Sequence, residues 1–211
     1  MKVAVVSSSL YSVPPKGRRY LGYDHGFGGG YGGESQVYSF VNALCKAGVE
    51  VHLFATAGSE KPEKGELHVI PSGHWNSVWL VEREVYQSQW KEMMKCDIIH
   101  DWSLTKLVHH RAYQDFDRKC VMTPWGTGAP EPFFNYNTIC WSDFQRKLFL
   151  TQGYPATTKY VHGALNPSVF TPSYGEGRYF LYLSRTHPSK HPEVAVALAK
   201  ALGVKLYFVT D

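Results

Sequence analysis

The chain opens on a near-continuous β-branched run, Lys2 to Ser8, which is the pattern of a central parallel strand covered on both faces. A long Pro/Gly loop from Val13 to Gly33 follows. From Glu34 onward apolar side chains fall at Val37, Phe40, Val41, Leu44 and Cys45, one face of a helix, and Gly48 stands where a left-handed C-terminal cap belongs. Val49 to Thr56 predicts a second strand and Leu67 to Pro71 a shorter third. Between Asn76 and Lys95 the period is helical again, with Val78, Val81, Val85 and Trp90 on or near one face, and Cys96 to His100 reads as the next buried strand. A helix near Leu104 to Tyr113 and strands at Lys119 to Thr123 and Thr138 to Cys140 continue the alternation. Ser142 and Asp143 supply an N-cap for a helix running to about Thr151, Gly153 ends it, and Lys159 to Val161 is a further strand.

Strands and helices taking turns in this way predict an α/β fold, a Rossmann-like doubly wound parallel sheet. After Pro172 the chain turns polar and Gly-rich, which reads as a linker. Beyond it lie a strand (Tyr179 to Leu183), a helix (Pro192 to Leu202, capped by Gly203) and a strand (Lys205 to Val209). The expected organisation is therefore a first domain over 1–172 and, over 173–211, a linker and the first βαβ unit of a second, incomplete Rossmann-like domain. One such unit buries too little apolar surface to be a stable domain alone, so something is expected to follow it or to pack on it.

Charge removes several function classes. The 22 basic and 18 acidic side chains leave +4, with no run of five like charges, so a nucleic-acid partner is not expected. No apolar stretch approaches the roughly 18 residues that span a bilayer, and Val3 to Val6 is too short for a signal-peptide core. A soluble, cytoplasmic protein is expected, its mild basicity compatible with a peripheral place at the inner membrane surface. Cys45, Cys96, Cys120 and Cys140 lie far apart in apolar settings and read as reduced thiols.

Gly28, Gly30 and Gly33 satisfy G-x-G-x-x-G, and Gly32-Gly33-Glu34 leads into the first helix, whose N-terminus suits an anion such as a diphosphate. As a dinucleotide fingerprint the motif fails twice. The loop before it is too long for a tight turn, and the second strand ends Phe54-Ala55-Thr56 without the acid that holds a ribose. An NAD-dependent reductase is the weakest of the readings. His100-Asp101 ends a strand at the carboxyl edge of the sheet, where His100 is placed either to bond a substrate hydroxyl or shuttle a proton, or to be satisfied by neighbouring backbone. Trp125, flanked by Gly126 and Gly128, suits stacking on a sugar or base and equally suits anchoring a loop. Arg185 and Lys190 beside a helix N-terminus form an anion clamp or a pair of solvated charges. His187 and His191 are spaced as metal ligands, but Pro188 and Pro192 interrupt the helix they need, and no metal site is assigned.

Taken in order, these residues resemble a known pattern. Pro14-Pro15 followed by Tyr31-Gly32-Gly33-Glu34 is similar to the start of glycosyltransferases of family 4 (glycosyl transferase group 1), which have the GT-B fold. Asp97-Ile98-Ile99-His100 resembles their "D-v-i-H" strand, Ser142 with Gln145-Arg146 their "vavSeaqr" segment, and Asn166 to Pro172 the "D-x-x-x-F-x-P" that closes their first domain. Tyr182-Leu183-Ser184-Arg185 with Lys190 resembles the motif that opens their second domain. The resemblance implies two Rossmann-like domains and transfer of a sugar from a nucleotide-sugar donor, such as a UDP- or GDP-sugar, to an acceptor with retention of configuration. It implies no metal or other cofactor. In its terms His100 is the catalytic residue, and Gly32, Gly33, Arg185 and Lys190 hold the donor phosphates. From their places in the chain, Tyr31, Glu34, Asp101 and Trp125 are expected to contact sugar or acceptor. The acceptor, a sugar, a lipid-linked sugar or a small molecule, is not implied.

Trp125 ends a strand where the family carries a histidine, Asn166 stands for a common aspartate, His191 stands where a glycine often follows the lysine, and the Glu-x7-Glu motif falls beyond Asp211. These departures leave the chain readable as a truncated or short form, inactive alone, of a transferase. The alternative is a non-catalytic sugar- or nucleotide-binding module, a homodimer or partner subunit if natively short.

Overall fold

The chain is described by a computed structural model that covers residues 1–14, 31–74, 76–106, 120–126, 137–154, 158–163, 174–184 and 186–210. These form two compact units, a larger one within residues 1–165 and a smaller one carrying residues 174–210.

The larger unit holds, among the described residues, a seven-stranded parallel sheet: β1 (Lys2–Val6), β2 (Glu50–Thr56), β3 (Gly65–Ile70), β4 (Ile98–Asp101), β5 (Cys120–Met122), β6 (Asn137–Cys140) and β7 (Lys159–Tyr160). Its spatial order is β3-β2-β1-β4-β5-β6-β7, every pair parallel. The order reverses between β1 and β4, and open sheets of this kind bind ligands in the crevice beyond the strand ends at such a point. The fold is thus the doubly wound α/β type that the alternation of elements predicts.

Register decides which helix each side chain meets. Val3 lies opposite Val51 and Ile98, and Val5 opposite Leu53 and His100. Their face packs against Val37, Val41 and Cys45 of α1 (Tyr31–Lys46). Ala4, Val6, Phe54, Ile70 and Ile99 face the other way, onto Val85 and Met93 of α2 (Val78–Met93). Val5, Leu53 and Phe54 are wholly buried, each apolar side chain of this size contributing about 1.5–3 kcal/mol.

α1 begins at Tyr31, earlier than the predicted Glu34, so Gly32 and Gly33 belong to its first turn; it ends before Gly48, whose φ is +83°. α3 (Asp143–Thr151) is capped as expected, Ser142 Oγ accepting from the Gln145 N–H at 3.1 Å. β3 starts at Gly65, two residues before the predicted Leu67, and β4 runs on to Asp101. Leu104 to Lys106 are not helical, and the rest of the helix predicted there lies outside the described residues. So does the segment Asn166 to Pro172.

The smaller unit is the predicted βαβ: β8 (Phe180–Leu183), a short 3-10 turn (Pro188–Lys190), α4 (Pro192–Leu202) and β9 (Leu206–Val209), with β8 parallel to β9. Tyr182 stacks on Phe208 with ring centroids 4.3 Å apart, and Ala199 is buried. Leu181, Leu183, Leu198 and Leu202 stay half or more exposed. No helix among the described residues is long and apolar enough to cross a membrane.

Candidate functional site

Four neighbouring strands of the larger unit deliver side chains to one place at the carboxyl edge. His100, near the end of β4, turns toward α1; its ring meets Phe40 edge-on at 4.8 Å, and its Nε2 lies 2.8 Å from Thr123 Oγ1, just past β5. The Thr123 hydroxyl holds His100, which is 5% exposed. Gln36, Ser39, Phe40 and Ala43, on one face of α1, border a cavity of about 220 Å³. Trp102, Ile139, Trp141 and Val161 supply its apolar wall, and His100, Thr123 and His162 its polar groups. Cys140 also lines it; burial pushes that thiol up to about 11, so it stays protonated and unreactive.

The aromatic wall is pinned by its polar handles. Trp141 donates its indole N–H to the Pro124 carbonyl at 2.8 Å, while Gln145 of α3 accepts from the Trp141 backbone N–H at 2.7 Å and donates to the Gly126 carbonyl at 2.5 Å. Trp102 is 4% exposed, and its indole N–H has no hydrogen-bond partner among the described residues. A buried donor left unpaired is destabilising by about 1–3 kcal/mol.

At the N-terminus of α1 the two glycines differ. Gly32 is open, with nothing near the position of an added Cβ, whereas the Trp125 ring lies directly over Gly33. Trp125 donates its indole N–H to the Trp102 carbonyl. The loop-anchor role of Trp125 is therefore realised, and Gly33 is used by the protein's own indole. Glu34 is 3% exposed; one carboxylate oxygen accepts from Ser8 Oγ at 2.6 Å, and the other has no partner among the described residues. Burial raises its pKa to about 7, against the Ser8 hydrogen bond that favours the charge. Glu34 is thus a carboxyl able to give or take a proton near neutrality.

Asp101 does not join His100. Adjacent strand residues point to opposite faces, and Asp101, wholly buried, lies on the α2 side, where it accepts from the Ser103 N–H at 2.7 Å. Nearby, Glu82 of α2 accepts from the Leu104 N–H (3.1 Å), the Thr105 N–H (2.8 Å) and the Thr105 hydroxyl (2.5 Å). Burial raises the Glu82 pKa, and burial lowers that of Lys106 to about 8 despite both acids. Lys106 bonds the Ser103 carbonyl. Sequence reasoning missed Glu82; the available signal was an acid at i, i+4 between Val78 and Val85 of the apolar stripe.

In the smaller unit Lys190 closes the 3-10 turn, exposed, its N–H bonded to the His187 carbonyl at 2.8 Å. Arg185, Gly28, Gly30 and the side chain of Tyr31 lie outside the described residues. His187 accepts from the Ser189 N–H and His191, at φ +50°, lies beside Glu193, so the two are not successive ligands on a helix.

No protein-family model and no curated protein matches the chain. Among solved structures it is similar to AviGT4, a glycosyltransferase involved in avilamycin A biosynthesis, with a TM-score of 0.63 and 21% identity over 98% of this chain and 55% of that one. The chain spans about half of that protein's length. The likeness is one of fold, and it agrees with the Rossmann-like α/β class read from the sequence.

Proposed function

We propose that the chain carries the acceptor-side domain and the beginning of the donor-side domain of a glycosyltransferase, which moves a sugar from a nucleotide-sugar to an acceptor with retention of configuration. The observation that carries this reading is the convergence of His100, Thr123, Trp141 and His162 from four strand ends onto one cavity beside α1, in a fold shared with a glycosyltransferase. The His100–Thr123 pair hydrogen-bonds substrate hydroxyls, and the aromatic wall takes an apolar part of the acceptor. Arg185 and Lys190 neutralise the charge that develops on the leaving nucleoside diphosphate, a stabilisation realised most fully in the transition state. On this reading the Glu34 carboxyl, raised toward neutrality by burial, is assigned the exchange of a proton with the acceptor hydroxyl.

The test is a panel of UDP- and GDP-sugars offered to the purified protein, with donor affinity and transfer to apolar-tailed acceptors measured separately. Ser39→Phe, which fills the cavity, is expected to raise the acceptor KM at least tenfold and leave donor affinity unchanged. Absence of affinity for every nucleotide-sugar tested refutes the transferase reading; an unchanged acceptor KM refutes the role given to the cavity.

A further inference from the structure

We infer that His52, Glu66 and His68 form a binding site for a divalent transition metal, zinc being the ion it fits, on the α2 face of the sheet. This lies across the sheet from the cavity and near the amino ends of β2 and β3. Parallel pairing sets His52 opposite Glu66 and Phe54 opposite His68, so all three candidate ligands share one face.

Their ligand atoms stand in one cluster: His52 Nδ1 to His68 Nε2 is 3.0 Å, His68 Nε2 to Glu66 Oε2 is 3.7 Å, and His52 Nδ1 to Glu66 Oε2 is 4.0 Å. Those sides enclose a point about 2.1 Å from every corner, which is the bond length of zinc to imidazole nitrogen and to carboxylate oxygen. The support expected around a ligand is present. Glu50 Oε1 lies 3.1 Å from His52 Nε2, and since a carboxylate only accepts, Nε2 carries the proton and Nδ1 keeps its lone pair for the metal. Lys2 holds Glu50 in turn at 3.0 Å. The His68 ring is stacked on Phe54 at 4.4 Å, which fixes its plane. The Glu66 side chain is 64% exposed, so an ion enters from solvent and water completes a four-coordinate shell. Two imidazoles, one carboxylate and a water form a ligand set that zinc takes in four-coordinate sites.

Without metal, His68 donates Nε2–H to His52 Nδ1. Binding moves that proton to the other ring nitrogen of His68, so both histidines ligate as neutral imidazoles with no net proton release. The ion ties edge strand β3 to β2 where the connection, residues 57–64, contains no helix.

The experiment is calorimetric titration of the chelator-treated protein with zinc, with cobalt(II) titrated in parallel and followed by visible absorption. One ion per chain is expected, with the intense visible bands of four-coordinate cobalt. His68→Ala should abolish binding, Glu66→Gln should weaken it at least tenfold, and Glu50→Gln should weaken it about 10–100-fold. His191→Ala should bind as the parent does. If His68→Ala does not fold, the exposed Glu66→Gln and Glu50→Gln variants decide the matter. No saturable binding at millimolar zinc, or equal binding by the parent and both glutamine variants, overturns the site and leaves a hydrogen-bonded histidine pair.

Discussion

A carboxyl group buried near the start of α1 makes the stability of this protein depend on pH in a direction opposite to that of a paired carboxylate. Glu34 ionises at about 7 in the folded chain against 4.5 for the free side chain. At about 1.4 kcal/mol per tenfold change in acidity, the charged form is about 3 kcal/mol less at home in the folded state than in the unfolded one. Between 4.5 and about 7 the folded protein holds a proton that the unfolded chain has released. Stability therefore falls as pH rises through that window, and the full penalty is present above it. Glu34→Gln keeps the shape and the acceptor for Ser8 Oγ and removes the charge. It should match the parent near pH 4 and exceed it by about 3 kcal/mol near pH 8. Urea unfolding of both proteins at a series of pH values measures this, with the slope m watched for constancy. Because Glu82 titrates in both proteins, the difference between them isolates Glu34. A difference that stays constant with pH refutes the reasoning. The same variant, more stable yet inactive, would identify Glu34 as the proton-exchanging group of the reaction.

Other consequences concern packing. Gly33→Ala places a methyl group where the Trp125 ring lies, so it should destabilise by about 1–3 kcal/mol, and Trp125→Ala should remove most of that penalty; a double-mutant cycle with zero coupling would show that the contact is not made. Glu82→Ala strips the Leu104 and Thr105 N–H groups of their acceptor and should lower stability by about 3–5 kcal/mol with Lys106 left beside Asp101 alone, read as a fall in the denaturation midpoint. Glu82→Gln should lose less than Glu82→Ala.

Most strands and helices could be read from the chain because local signals and tertiary packing agree in this fold. α3 has a serine cap and α4 opens on Pro192 and closes before Gly203, whose φ is +62°, so their boundaries follow from residue chemistry. The site was harder to read. His100 and Asp101 are neighbours in sequence and both reach the carboxyl edge, yet the strand's period of two sends one to α1 and the other to α2. Gly33 reads in the sequence as part of a phosphate-binding turn; the indole that covers it comes from a residue far along the chain, and only the fold joins them. His52 and His68 belong to different strands, and their meeting depends on a register that no local pattern announces.

The two indoles of the cavity wall and the third that packs against Trp102 have an optical consequence. Trp102 lies 6.3 Å from Trp125 and 5.1 Å from Trp141 between ring centroids, tilted 71° and 66° to them. Rings this close and this skewed share their electronic excitations, so the geometry of the wall is written into the near-ultraviolet circular dichroism of the protein. A molecule that enters beside Trp102 and Trp141 changes that signal without a label attached to either partner.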